Sequence, residues 1–249
     1  MGISLKQAFI FVPKDSDWLK KVFIGGLLLF FPTFIYVFPG IKKLLFNPVN
    51  YYWITIFAIL ATTIFLAVSG YFFKAVHNRI VHSKEGLPEW KYFSYYVYVG
   101  LKSYVGGFLF SLPFLAVFLL LAVTAPMSPS AELIPFIIIG SVLHIIYTAC
   151  YVMMALNFAL DFKITSFFNV KKGYELIKGN ILNYVILVFY CLLLAMINTI
   201  VNAILVNGQI FSLFIPFVTF YVYLVYTDLF AQFVLNKTGL ECHEQKCFI

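Results

Sequence analysis

The chain has 249 residues, of which 63% are hydrophobic and only 11% charged, and its mean hydropathy is +0.96. Ordinary soluble domains are roughly 45–50% apolar and about 25% charged, so this composition excludes a water-soluble fold and makes lipid the solvent for most of the apolar surface. The formal net charge of +7 would suggest nucleic acid on a soluble protein, but here it reads as topology and attraction to anionic headgroups, with no nucleic acid partner.

Residues 1–21 form a cytoplasmic approach. Leu5, Ala8, Phe9 and Val12 recur at helical spacing and make an apolar stripe suited to lying on a membrane. Pro13 ends that helix, and Asp15 or Ser16 can cap the next. The first span is expected over Val22–Ile41, with Pro32 and Pro39 kinking or ending it, and a turn at Lys42-Lys43 and Asn47-Pro48. The second span is expected over Tyr51–Phe73, followed by a charged loop from Lys74 to Lys91. Trp90, Phe93, Val97, Leu101 and Tyr104 then mark one helical face, a second interfacial approach.

The third span is expected over Ser103–Thr124, kinked near Pro113. Ser103, Gly107 and Ser111 stand four apart on it, a small-residue ridge that lets another helix approach. After a turn at Ala125–Glu132, the fourth span runs over Leu133–Leu160. In the second large loop, Asp161–Gly179, the apolar stripe Phe167, Val170, Tyr174 and Ile177 opposes Lys171, Glu175 and Lys178, which predicts an amphipathic helix in the headgroup plane. Gly179–Thr227 contains no Asp, Glu, Lys or Arg, and Asn207-Gly208-Gln209 is its one polar break. It is read as two spans, Ile181–Val206 and Ile210–Leu235, with Pro216 bending the last.

The expected fold is therefore all-α, a polytopic membrane protein of six transmembrane helices in three hairpins, each preceded by an amphipathic segment. Residues 22–235 form one membrane domain between the approach of residues 1–21 and a tail of residues 236–249. The approaches end near Lys21, Lys102 and Lys178, roughly 80 residues apart, as a threefold repeat would have them. Of the seventeen Lys and Arg, all but Lys42 and Lys43 fall on one side of this arrangement. The positive-inside rule puts both termini and both large loops in the cytoplasm of a cell-membrane protein.

Asp15-x-x-Trp18-x-Lys20-Lys21, the pair Gly25-Gly26, Gly70-Tyr71 and Leu87-Pro88-Glu89-Trp90 resemble an uncharacterised prokaryotic family of polytopic membrane proteins, a domain of unknown function. The resemblance covers roughly residues 5–235 and takes in Phe167–Asn180 and the stretch from Asp228 to Gln232. The family is loosely similar to the membrane domain attached to some glycerophosphodiester phosphodiesterases, whose soluble catalytic domain has no counterpart here. It implies no known activity and supplies no catalytic residues.

Polar groups at membrane depth are the remaining candidates. His144 falls near the middle of the fourth span and suits a proton relay or a ligand contact; the competing expectation is an interhelical hydrogen bond. Asn198 and Asn202, four apart on the fifth span, suit a polar seam or hydrogen-bonded packing. Asp228 and Asp161, at the cytoplasmic ends of the sixth and fourth spans, suit ion pairs with Lys74, Lys163 or Lys171, or else a coupling-ion site. Lys171, Lys172 and Lys178 are candidates for lipid headgroups.

Asp15, Asp17, Glu85 and Glu89, with His77 and His82, read as a solvated loop with no metal-ligand spacing, and the tail Cys242-His243-x-x-x-Cys247 holds too few ligands for zinc. No metal and no cofactor is expected. The functional expectation is a non-enzymatic protein acting through membrane lipids, a protein partner or a second copy of itself, in assembly, immunity or membrane homeostasis. The alternatives are a small transporter or permease subunit and, behind it, an intramembrane enzyme.

Overall fold

A computed structural model describes residues 2–37, 51–81, 86–125, 133–206 and 211–238. Every regular element among them is a helix. In chain order these are α1 (Leu5–Lys14), α2 (Trp18–Val37), α3 (Tyr51–Val81), α4 (Phe93–Thr124), α5 (Leu133–Asp161), α6 (Val170–Ile177), α7 (Ile181–Val206) and α8 (Ile215–Thr238). Single 3-10 turns precede α4 (Trp90–Tyr92), α6 (Ile164–Phe168) and α8 (Phe211–Phe214). Five helices are long and apolar enough to cross a membrane: α3, α4, α5, α7 and α8. The 20-residue α2 is also apolar. The predicted turns at Lys42–Pro48, Ala125–Glu132 and Asn207–Gln209, along with Pro39, His82, Glu85 and the cysteine-containing tail, lie outside the described residues, apart from Ala125.

The chain contacts group into two units, residues Met1–Leu101 with Gly179–Ile249, and Lys102–Lys178. In the first, α8 is the central helix, packed by α1, α2, α3 and α7. Half of its apolar window is buried, against 6% of that of α5. Thr227 through Val234 are buried on every face, the polar Thr227, Asp228 and Gln232 among them. The central element is thus the end of the uncharged stretch together with the polar residues that follow it.

Helices α7 and α8 run antiparallel. Tyr184 meets Phe233 with ring centroids 5.6 Å apart, the Tyr226 hydroxyl donates to the Cys191 carbonyl at 3.0 Å, and Thr219 donates to Asn198 at 3.5 Å. Pro216 is the second residue of α8, where a missing N–H costs nothing, so it starts this helix rather than bending it. At the other end of the sequence, the predicted α1 stripe is turned partly inward: Ala8 and Val12 are fully buried with Phe11 beside them, and Phe9 packs its ring on Tyr221 of α8. Only Phe9 and Ile10 of its large apolar side chains stay exposed. The α1 backbone is tied down at Ser4, whose N–H donates to Gln232 of α8 at 2.7 Å.

Two boundaries differ from expectation for one reason. Helix α3 continues to Val81, so Lys74, His77 and Arg79 belong to a helix rather than to a loop. Helix α4 begins at Phe93 and runs on without a break into the third span, Pro113 included. In both places packing carries a helix on through polar residues, Lys74 in α3 and Lys102 and Ser103 in α4. The buried face of α4 is Tyr96, Val99, Gly100 and Ser103; Leu101 and Tyr104 of the predicted stripe are exposed.

In the second unit, Phe167 is the anchor. It is fully buried, its ring lies 5.2 Å from that of Phe158, and it fills the space beside Gly106. The α4 ridge faces α5: Gly107 lies against Tyr151, and the hydroxyls of Ser111 and Tyr147 are 2.9 Å apart. Asn169 caps α6 by accepting from Lys172 N–H at 2.9 Å. Gly173 then sets α6 down on Met153 of α5. Asp161 accepts from Ser166 at 2.6 Å and pairs with Lys172 at 2.9 Å. Both partners of that pair stay about a third exposed. Lys172→Ala should therefore shift the thermal midpoint by less than about 1 kcal/mol in equivalent stability, since exposed pairs contribute little; a larger loss would mean that this pair organises the unit.

Candidate functional site

The polar groups of the first unit gather where α1 gives way to α2, where α3 ends and where α4 begins. Asp15 closes α1 and folds its carboxylate over the next turn, accepting from Asp17 N–H at 2.9 Å. That places its oxygens against Lys21, 2.9 Å away, with only 5% and 7% of the two side chains exposed. The Asp15 carboxylate also accepts from Leu87 N–H at 2.6 Å, and the Lys21 ammonium donates to the Leu87 carbonyl at 2.7 Å. One backbone residue is thus gripped by both halves of a buried ion pair. Gly86 makes this approach feasible, because a Cβ there would meet Asp15 Oδ2.

An aromatic stack completes the grip. Trp90 lies flat on Tyr71, with centroids 4.1 Å apart and planes 11° apart, and donates its indole N–H to the Lys21 carbonyl at 3.1 Å. Tyr71, fully buried, donates to the Pro88 carbonyl at 2.8 Å, and the Tyr96 hydroxyl donates to the Glu89 carbonyl. Behind the stack stands Phe220 of α8, 5.8 Å from Tyr71 and 5.9 Å from Trp90. Stretches that are far apart in sequence, around Asp15–Lys21, Gly70-Tyr71 and Leu87–Trp90, converge here. Beside them a polar cavity of about 410 Å³ opens, lined by Asp17, Lys74, Asn78, Glu89, Lys91 and Tyr92, with Asp15 and Lys21 at its wall.

A second ion pair, with a buried carboxylate and a partly exposed arginine, lies in the same unit. Asp228, 1% exposed, accepts from Arg79 Nε at 2.9 Å and from Gln232 at 2.6 Å. Gln232 in turn donates to the Ser4 carbonyl at 3.2 Å, and the Arg79 guanidinium lies 4.9 Å above the Phe11 ring. The carboxylate therefore locks α3, α8 and α1 together.

This corrects the expected pairings. Asp228 pairs with Arg79 rather than with Lys74, Lys163 or Lys171, because α3 runs far enough to bring Arg79 alongside it. Asp161 pairs with Lys172 and takes only a backbone N–H from Lys163. Asp15, read as part of a solvated loop, is buried by its ion pair. The doublet Lys20-Lys21 divides, since neighbouring positions on a helix point about 100° apart: Lys20 is exposed and Lys21 is buried.

The other candidates are not brought together. His144 is exposed on α5. On α7, Asn198 reaches Thr219 of α8 and Asn202 is half-buried. Lys171 and Lys178 are exposed on and just after α6, while Lys172 holds Asp161. Ser103 is buried, and Gly107 and Ser111 meet Tyr151 and Tyr147 as described above. Among the described residues no group of His, Cys, Asp and Glu is arranged to hold a metal ion.

The family described as "Protein of unknown function (DUF4013)" matches residues 53–207, more than half of the chain. The chain belongs to this family. Comparison with curated proteins and with solved structures gives no match. The DUF4013 match contains Tyr71, Arg79 and the Leu87–Trp90 stretch. It leaves out Asp15, Lys21 and Asp228, the residues that close both ion pairs.

Proposed function

We propose that this DUF4013 protein is a multi-pass protein of the cell membrane, with its helices crossing in three hairpins and both termini in the cytoplasm, and that it works through lipid or protein companions rather than through a reaction of its own. One observation carries the reading. The α5 window is apolar throughout yet only 6% buried, with Ile137, Ile138, Ile145 and Ile146 among the side chains facing outward. Such a surface is stable only against lipid tails or another apolar protein. The charged groups support the same view, because Asp15, Lys21, Arg79 and Asp228 hold helices together and are consumed in doing so. His144 is exposed on α5, which suits contact with such a companion.

Native mass spectrometry of the protein extracted in its own lipid, without detergent, tests this. The expected spectrum shows a stoichiometric companion, either a protein, a second copy of the chain or a retained lipid, whose retention falls with His144→Ala if it sits on α5. A bare monomer that turns over or moves a solute in flux assays would overturn the reading in favour of a transporter or an enzyme.

A further inference from the structure

We propose that α6, with the turn that leads into it, lies in the headgroup layer and binds anionic phospholipid through Lys171 and Lys178. This rests on the lipid-companion reading above and names the headgroup class of one such companion.

The helix is fastened to its unit by one side only. Gly173 sits on Met153 of α5, and Lys172, its neighbour in the chain, reaches Asp161 at 2.9 Å. Phe167, buried against Phe158, pins the turn before the helix. Positions 171, 175 and 178 are about one and two turns apart, so Lys171, Glu175 and Lys178 share a row on the side away from Gly173. All three are exposed. Beside that row runs an apolar one, with Val170 61% and Tyr174 59% exposed. An apolar row next to a basic one is what a helix lying in a membrane interface presents, the first to acyl chains and the second to phosphates.

Asp161 sets the level. No Asp, Glu, Lys or Arg occurs from Leu133 to Leu160, so Asp161 is the first charge that α5 reaches. Its bond to Lys172 holds α6 where α5 turns from apolar to charged, and a bilayer keeps its headgroups at that boundary.

The sign of the ligand follows from which charges are already spent. Lys172 is taken by Asp161. Lys163, Lys171 and Lys178 are exposed, and their ammoniums enter no ion pair among the described residues. Against these three stands one exposed carboxylate, Glu175. An anionic headgroup neutralises the surplus. A zwitterionic headgroup brings a cation of its own, which the remaining lysines repel.

The test uses the full chain in nanodiscs of equal parts phosphatidylglycerol and phosphatidylcholine with matched acyl chains, with retained lipid counted by native mass spectrometry. Phosphatidylglycerol should be enriched by about fivefold for each uncompensated lysine, the ratio that a cation near an anionic surface supplies. Lys171→Gln combined with Lys178→Gln should bring the ratio towards one, and Glu175→Gln should raise it. Lys172→Gln removes a lysine that is already paired, and Lys20→Gln removes an exposed one of α2; both should keep the ratio within about twofold of the native protein, as a change of less than one cation requires. Equal retention of the two lipids, or a fall in the ratio as large for Lys172→Gln or Lys20→Gln as for the α6 pair, would overturn the proposal while leaving the lipid-companion reading intact. Retention of neither lipid would overturn both.

Discussion

Replacing Lys21 by Met should destabilise the protein by about 3–5 kcal/mol, the usual cost of leaving one member of a buried ion pair without its partner. The Asp15 side chain is 5% exposed, and without Lys21 its charge would keep the Leu87 N–H but lose its counter-ion. The Leu87 carbonyl would lose its donor at the same time. Asp15→Asn combined with Lys21→Met should recover much of the loss, because a neutral amide still accepts from Leu87. Lys20→Met, on the exposed neighbour, should stay within about 0.5 kcal/mol of the native protein. Thermal unfolding of all three in the same nanodisc, followed by circular dichroism, is the check. Equal midpoints for the Lys20 and Lys21 variants would show that the pair does not hold the α1–α2 junction.

Gly70→Leu should be comparably damaging, at the upper end of the roughly 1–3 kcal/mol of overpacking or beyond it. A Cβ at Gly70 would run into the carbonyl of Tyr96, and one at Gly100 into the carbonyl of Leu66. The two glycines thus let the backbones of α3 and α4 touch at two points, and a backbone carbonyl cannot rotate out of the way as a side chain can. The displacement would also part Tyr71 from Trp90 and Pro88. Gly140→Leu is the control: it lies on α5 with nothing within 4 Å of an added Cβ. The ratio of monodisperse to aggregated protein after extraction should fall for Gly70→Leu and Gly100→Leu and hold for Gly140→Leu.

The apolar runs and their lengths were legible from the sequence because lipid imposes a simple rule on composition. Leu133 as a start, and Ile181 and Val206 as the limits of a span, need no more than that rule. The polar contacts were not legible, since each is set by where two helices happen to cross. Arg79 looked like a loop cation because the helix was stopped at the first lysine; only its extension to Val81 brings it to Asp228. Nothing in the doublet Lys20-Lys21 distinguishes the exposed lysine from the buried one. A signal was present in retrospect: Asp15 precedes Lys21 across a helix break, and Gly86 beside Leu87 offers bare backbone for the pair to grip. The small residues Ser103, Gly107 and Ser111 announced that something would come close, but not that tyrosines would be what came.

The length of α3 ties these charges to the membrane around them. Its 31 residues, at 1.5 Å each, reach about 46 Å, while a hydrocarbon core is about 30 Å thick. If α3 crosses such a core upright with its apolar part inside, its last two turns, Lys74 to Val81, would stand clear of the acyl chains, and these turns carry Arg79 to Asp228. A bilayer with longer acyl chains would pull those turns towards hydrocarbon or force the helix to tilt, and since α4 touches α3 backbone to backbone, a tilt cannot be absorbed by α3 alone. The hydrophobic mismatch that most helices relieve by leaning would here be transmitted to the pair of helices and to the charges they carry.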